Sequence, residues 1–172
     1  MGTTLEFSQR DSLPRQTEIT GGGPFGLQAG IWTDDTSMAL ALAASLEVAP
    51  QLDPADLMNR FVAWHQRGEY SPTGSCFDIG VTTRTALDRY LRTGDPVAGD
   101  RSPNAAGNGS LMHLSPVAIR HWRNQERAQQ VAMRQSETTH AAEACVQACV
   151  WYARLLVRAI GGEPLDSLLA PE

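Results

Sequence analysis

Cysteine is scarce and odd in number: Cys76, Cys145 and Cys149 are the three present. So few, unevenly spread, build no disulfide framework, and a reducing cytoplasm is the expected setting. Cys145 and Cys149 stand four apart, but no third and fourth soft ligand lies near them, so they read as small core residues rather than a metal pair. Positive charge is in deficit. Fourteen Lys and Arg against nineteen Asp and Glu leave a formal charge of -5, which gives no electrostatic case for nucleic acid or an anionic membrane. No apolar run approaches bilayer length, and Met1 to Phe7 has no apolar stretch of the kind a targeting signal carries. Alternating polar and apolar residues, the mark of half-buried strands, are missing too, so the expected class is all-α. After Gly21-Gly22-Gly23-Pro24 comes no Lys-Ser or Lys-Thr, which makes that run a mobile connector and not a phosphate loop.

What the chain does have is centred on Gly30-Ile31-Trp32-Thr33-Asp34-Asp35-Thr36-Ser37-Met38. A knot of Thr-Asp-Asp-Thr stands directly before a run of Ala, Leu and Met. Those residues are strong helix formers, and a run apolar nearly all round predicts a buried helix. Thr33 or Asp34 is then the expected N-cap, and acidic residues there complement the helix dipole. Two adjacent carboxylates between two hydroxyls ask for more than a cap. They must protonate, find cations or bind metal, and an all-oxygen set suits Mg²⁺ or Mn²⁺.

The remainder predicts a single domain over 1–172: a loop over 1–30, a helical body over 31–162 and a tail over 163–172. The first helix closes before Pro50. A second opens at Asp53-Pro54, with Pro in its first turn, carries Leu57, Phe61 and Trp64 at helical spacing, and ends near Gly68. A third follows Asp78 and stops at Gly94-Asp95-Pro96. Leu111 to Ile119 reads as helical despite Pro116, 124–136 as an amphipathic helix, and about Thr139 to Ile160 as the last long helix.

Three further places carry potential chemistry. Gly107-Asn108-Gly109-Ser110 offers free backbone N–H groups at a helix start, a seat for phosphate or a ribose hydroxyl, though Asn-Gly is also an ordinary turn. His140 stands at another expected helix start, where a structural role competes with a catalytic one. Asp78 is either a cap or a cleft acid.

In their order and rough spacing, Thr33-Asp34-Asp35-Thr36, Cys76-Phe77-Asp78-Ile79-Gly80, Gly107-Asn108-Gly109-Ser110-Leu111-Met112 with Pro116, and Thr139-His140 resemble the ADP-ribosylglycohydrolase family, which includes the dinitrogenase-reductase-activating glycohydrolases. Gly2 to Phe7 looks like the end of that family's first conserved block. The resemblance implies an orthogonal multi-helix all-α fold with a dinuclear Mg²⁺ or Mn²⁺ site. It implies cleavage of the glycosidic bond joining ADP-ribose to a protein side chain or to a small molecule. By that likeness Thr33, Asp34 and Asp35 are metal ligands, and Glu6, Asp34 and Asp78 form the catalytic set. Glu6 has a metal-linked or general acid/base role, and Asp78 lies near the substrate ribose. Gly107, Asn108 and Gly109 hold ADP-ribose, and His140 lines the pocket.

The likeness breaks at both ends. No Gly-Asp-Ala-Leu-Gly precedes Gly2, no Gly-Gly-Asp-Thr-Asp-Thr block follows Gly161-Gly162, and Ala105-Ala106 stands where Ser is common. The expectation is therefore a truncated domain with weakened metal affinity and exposed core surface that favours self-association. The alternative to a hydrolase is a non-catalytic module that binds ADP-ribose or a partner protein.

Overall fold

The computed structural model describes residues 2–168, and every long element among them is a helix. α1 spans Asp34–Val48, α2 Pro54–Arg67, α3 Val81–Thr93, α4 Gly109–Met112, α5 Ser115–His121, α6 Gln125–Thr139, α7 Glu143–Ile160 and α8 Leu165–Leu168. Local chemistry sets several boundaries. Asp53 accepts from the N–H of Ala55 at 2.9 Å and of Asp56 at 3.4 Å, so α2 begins at Pro54, whose missing N–H costs nothing there. Asn124 caps α6 in the same way through Arg127 N–H.

Four expectations need correction. The apolar segment from Leu111 to Ile119 is two helices. Pro116 falls in the first turn of α5, and the chain breaks at His113-Leu114, because a proline inside one continuous helix would remove a backbone donor and clash with the preceding turn. The amphipathic helix runs on to Thr139, and the last helix begins at Glu143, so His140 closes α6 instead of opening α7. The tail contains a helical turn, α8. The early loop carries a 3-10 turn at Gly2–Leu5, and Gly22 pairs with Leu27 through backbone bonds of 2.7 and 3.1 Å, so the glycine run is a formed turn.

α1 is also less enclosed than its composition suggests. Met38, Ala41, Leu42, Ser45 and Leu46 are buried, but Leu40 and Val48 are exposed. An open groove of about 450 Å³ runs between its outer face and Pro116 and Ile119 of α5. Composition uniform around a helix hides which face is covered; only packing decides it.

The core joins all the long helices. α1 packs on α2 and α5, while α5 also meets α6 and α7. Met38, Leu42, Leu57, Phe61, Trp64, Leu87, Leu114 and Val117 are wholly or almost wholly buried, each stabilising the fold by roughly 1.5–3 kcal/mol of transfer free energy. α6 and α7 form the most extensive pair, joined by His140-Ala141-Ala142. Cys145 and Cys149 are buried in α7 as expected of small core residues. Among the described residues no helix is long and apolar enough to cross a membrane.

Two features place the cleft. A buried polar seam ties α4 to α6: Ser136 Oγ donates to His140 O at 2.8 Å, so Ser110 Oγ, 2.8 Å away, must donate to Ser136. Gln135 Nε2 donates to Ser110 O at 3.1 Å, which leaves Gln135 Oε1 to accept from His113 Nε2 at 2.9 Å. The loop before α4 then seats on α6 through Gly99, whose N–H donates to Glu137 O at 3.1 Å. A Cβ on Gly99 would lie 2.5 Å from Ala141 N and 2.8 Å from Glu137 O. Backbone cannot yield there, so Gly99→Ala is expected to destabilise the chain by about 1–3 kcal/mol, read as a lower melting temperature. An unchanged melting temperature would mean the loop is not seated on the end of α6.

Candidate functional site

The first turn of α1, the segment before α3 and the Gly107–Gly109 loop converge on one cleft of about 1050 Å³. Every residue singled out in the sequence lines it: Glu6, Thr33, Asp34, Asp35 and Asp78 with Gly107, Asn108, Gly109 and His140. The acids supply one kind of chemistry to it, and the glycine loop with His140 supplies another.

Thr33 is the N-cap of α1 by position, yet its side chain makes no capping bond. Its backbone carbonyl receives Ser37 Oγ at 2.9 Å, and Thr33 lines the cleft. Asp34 is buried beside it and Asp35 is more open. Asp78 does not cap α3, because Gly80 holds that position. Asp78 sits two residues earlier at φ 61, a left-handed conformation that Asp tolerates better than most residues.

Glu6 comes from far away in sequence. Phe25 lies 6.3 Å from Phe7 and 5.5 Å from Phe77, ring centre to ring centre, and so links the neighbours of Glu6 and Asp78. Thr4 Oγ1 adds a 2.9 Å bond to Gly21 O. The Glu6 and Asp78 carboxyls act on one another, raising Glu6 and lowering Asp78, so that a proton between them favours Glu6.

Like charge concentrated in a partly dry cleft moves every acid the same way. Burial, then the charges of Asp78 and Asp35, push Asp34 up to about 7. Burial raises Asp35, burial and Asp35 raise Asp78, and burial with Asp78 and Asp35 raises Glu6. None of the four enters an ion pair among the described residues. Cys76 lies close enough for the charge of Asp34, after burial, to push its thiol up to about 11, which keeps it protonated and a poor nucleophile.

The lining around the Gly107–Gly109 loop is neutral. Burial pushes His140 down to about 4 and, with the help of His140, His113 down to about 3, so both imidazoles are uncharged near neutrality. His140 Nδ1 is 2.9 Å from Thr139 Oγ1, which leaves Nε2 directed at the Gly107–Gly109 loop. Thr82 and Thr83 in the first turn of α3, with Trp32, also line the cleft. The spacing behind Asp78 held the only signal for the threonines, a polar pair where the helix's first turn returns to the acid's side. Trp32 is pinned by Nε1–H donating to Tyr70 O at 3.2 Å.

Thr33, Asp34 and Asp35 offer oxygen donors of the type a hard divalent cation takes, and uncompensated negative charge surrounds them. The fit is partial: among the described residues no three Asp, Glu, His or Cys groups are drawn together as a metal cage. A cation on this wall would complete its shell with water or ligand oxygens.

The comparisons with known proteins agree with this geometry. Against ADP-ribosylarginine hydrolase Tri1 of Pseudomonas putida strain GB-1 the chain is 43% identical over 171 residues, covering 99% of this chain and 46% of that protein. Against the dinitrogen-reductase ADP-ribosyl glycohydrolase of Rhodospirillum rubrum it is 31% identical over 171 residues, 97% of this chain and 55% of the other. A solved structure of an ADP-ribosylglycohydrolase-related protein complex superposes with a TM-score of 0.84 at 40% identity, covering 98% of this chain and 54% of that one. The chain thus spans about half the length of the relatives it matches. Its all-α architecture is the corresponding part of that fold. The ADP-ribosylglycohydrolase profile matches residues 1–171, and with the acids and the Gly-Asn-Gly loop lining one cleft, the chain belongs to that family.

Proposed function

We propose that this cleft receives ADP-ribose attached to an arginine of a protein and, with a divalent cation, hydrolyses the bond between them. The observation that carries the reading is that four carboxyls with raised pKa line one cleft of about 1050 Å³ together with the neutral Gly107–Gly109 loop and His140. The acid wall suits proton transfer and cation binding, and the neutral wall suits a hydrogen-bonding ligand. Arginine as acceptor is supported by the names of the relatives from Pseudomonas putida and Serratia proteamaculans, 43% and 40% identical.

Thr33, Asp34 and Asp35 would hold Mg²⁺ or Mn²⁺. When bound, the cation supplies positive charge that orients ribose hydroxyls and water. The chain's own groups do the rest. Hydrolysis adds water to the anomeric carbon and breaks its bond to the guanidine nitrogen. One proton leaves the water and one reaches the departing guanidine. Glu6 and Asp78, which line the cleft together and both titrate above the ordinary carboxyl range, would accept the first and return the second. Gly107, Asn108 and Gly109 bind the ligand through the loop backbone, and His140 acts as a neutral donor or acceptor beside them.

Calorimetric titration of the 172-residue chain with ADP-ribose, with and without Mg²⁺ or Mn²⁺, tests the proposal. Cation-dependent binding is expected, together with release of ADP-ribose from an ADP-ribosylated arginine peptide. Chelator-insensitive binding without turnover would replace the hydrolase with a non-catalytic ADP-ribose module. No binding in any condition would remove both.

A further inference from the structure

Thr83 lies in the first turn of α3 with only 2% of its surface exposed, yet it lines the cleft. Its hydroxyl has no hydrogen-bond partner among the described residues. By contrast, Thr85 Oγ1 and Thr93 Oγ1 on the same helix each donate to the carbonyl four residues back, at 2.9 Å. The oxygen itself is not among the sealed, unpartnered polar atoms of the fold, so it opens on the cleft, where valine would fill the same space but offer neither donor nor acceptor. The group this hydroxyl serves therefore comes from outside the chain.

Its surroundings define that group. A Cβ built on Gly109 would lie 3.4 Å from Thr83 Oγ1 and 2.8 Å from His140 Nε2, so both polar atoms face the same side of the Gly109 backbone. His140 is likewise buried, and its Nδ1 is already engaged by Thr139. A hydroxyl that both donates and accepts and a ring nitrogen carrying no charge suit a neutral partner. Glu6, Asp34, Asp35 and Asp78 line the same cleft, and their negative field disfavours a bare phosphate at this spot. We infer that Thr83 is a ligand-contacting residue whose hydroxyl, with His140 Nε2 over Gly109, forms a subsite for a hydroxyl of the bound ligand's terminal ribose, the sugar that ADP lacks. The inference rests on the ADP-ribose reading of the cleft and names the part of that ligand read by α3.

Thr83→Val keeps the branched shape and removes the hydroxyl, whereas Thr83→Ser keeps the hydroxyl. Titrating both variants and the wild-type 172-residue chain with ADP-ribose and with ADP, in Mg²⁺, separates the outcomes. Thr83→Val is expected to weaken ADP-ribose about tenfold, leave ADP unchanged, and melt no lower than wild type. Thr83→Ser should recover most of the affinity. Equal losses for ADP and ADP-ribose would assign Thr83 to the part they share and overturn the terminal-ribose assignment. Unchanged ADP-ribose affinity in Thr83→Val would overturn the subsite while leaving the ADP-ribose reading in place. A wild-type chain that takes up neither ligand would overturn that reading and the subsite with it.

Discussion

Replacing Asp34 with asparagine is expected to raise the melting temperature of the metal-free chain and to abolish cation-dependent binding of ADP-ribose. Asp34 is buried among Asp35, Asp78 and Glu6 with no ion-pair partner among the described residues, and its carboxyl is pushed up to about 7. Asparagine keeps the shape and removes the charge. At pH 8 the gain should be on the order of 2 kcal/mol once screening at the open side of the cleft is allowed for, a rise of roughly 5 °C for a chain of this size. The same change deletes a charged oxygen donor from the Thr33-Asp34-Asp35 wall, and cation affinity should fall at least about 100-fold. Thermal unfolding by circular dichroism and calorimetric titration with Mn²⁺ measure the two effects. A variant that melts like wild type and still binds ADP-ribose only when Mn²⁺ is present would sink the assignment. A cluster that destabilises its own fold is the signature of a site held for binding.

The pH dependence carries the same sign with an opposing partner. Asp34 has a folded value near 7 against an ordinary 3.8. Between those values the native chain holds the extra proton, so this acid lowers stability as pH rises, and Glu6, Asp35 and Asp78 act in the same direction. His140 and His113 are displaced the other way, to about 4 and about 3 from 6.5. Below 6.5 the unfolded chain binds more protons at those rings, so they lower stability as pH falls. Above 6.5 the histidines contribute no slope and the acids remain. Metal-free wild type should therefore be most stable near pH 6.5 and lose on the order of 1 kcal/mol by pH 8; Asp34→Asn should flatten that decline. Saturating Mn²⁺ should reverse it in wild type, because a ligand that binds only the folded chain stabilises it by mass action.

Features governed by neighbours in sequence were legible before any coordinates. Asp53-Pro54 announces α2 because cap and first turn are local chemistry, and Thr33-Asp34-Asp35 announces the start of α1 for the same reason. The residues of the cleft were also named, but through their likeness to a family. Glu6 lies 72 positions from Asp78, and the Phe7, Phe25 and Phe77 contacts that unite them belong to no periodic pattern. What the sequence hid follows from packing. Pro116 reads as an irregularity until α4 and α5 separate around it. His140 reads as the start of a helix until its N–H is seen bonded to Ser136 O at 2.7 Å, the last turn of the preceding one. Thr83 is marked in sequence only by its place behind Asp78, since a threonine in a helix's first turn becomes unusual only when its hydroxyl opens on a cleft without a partner in the chain.

Gly109→Ala should cost about 100-fold in ADP-ribose affinity, by displacing His140 and not by changing the loop's chemistry. The added Cβ would lie 2.6 Å from His140 Cε1 and 2.8 Å from Nε2, well inside contact distance. The ring has little freedom to retreat: it is 2% exposed, Nδ1 is held to Thr139 Oγ1 at 2.9 Å, and the His140 carbonyl accepts from Ser136 Oγ. Either the ring swings into the cleft or the Gly107–Gly109 loop lifts away from α3. Displacements of about 1 Å in a positioned site cost on the order of 100-fold, and overpacking should remove about 1–3 kcal/mol of stability. The double variant Gly109→Ala with His140→Ala separates clash from chemistry. With the ring gone, the alanine at 109 finds space, so the double variant should melt like His140→Ala alone while binding stays weak. If the stability losses simply add, the ring is not what Gly109 accommodates, and the loop and His140 are independent walls of the cleft. Strong coupling would make the glycine and the imidazole one unit, in which the absent side chain sets where Nε2 sits.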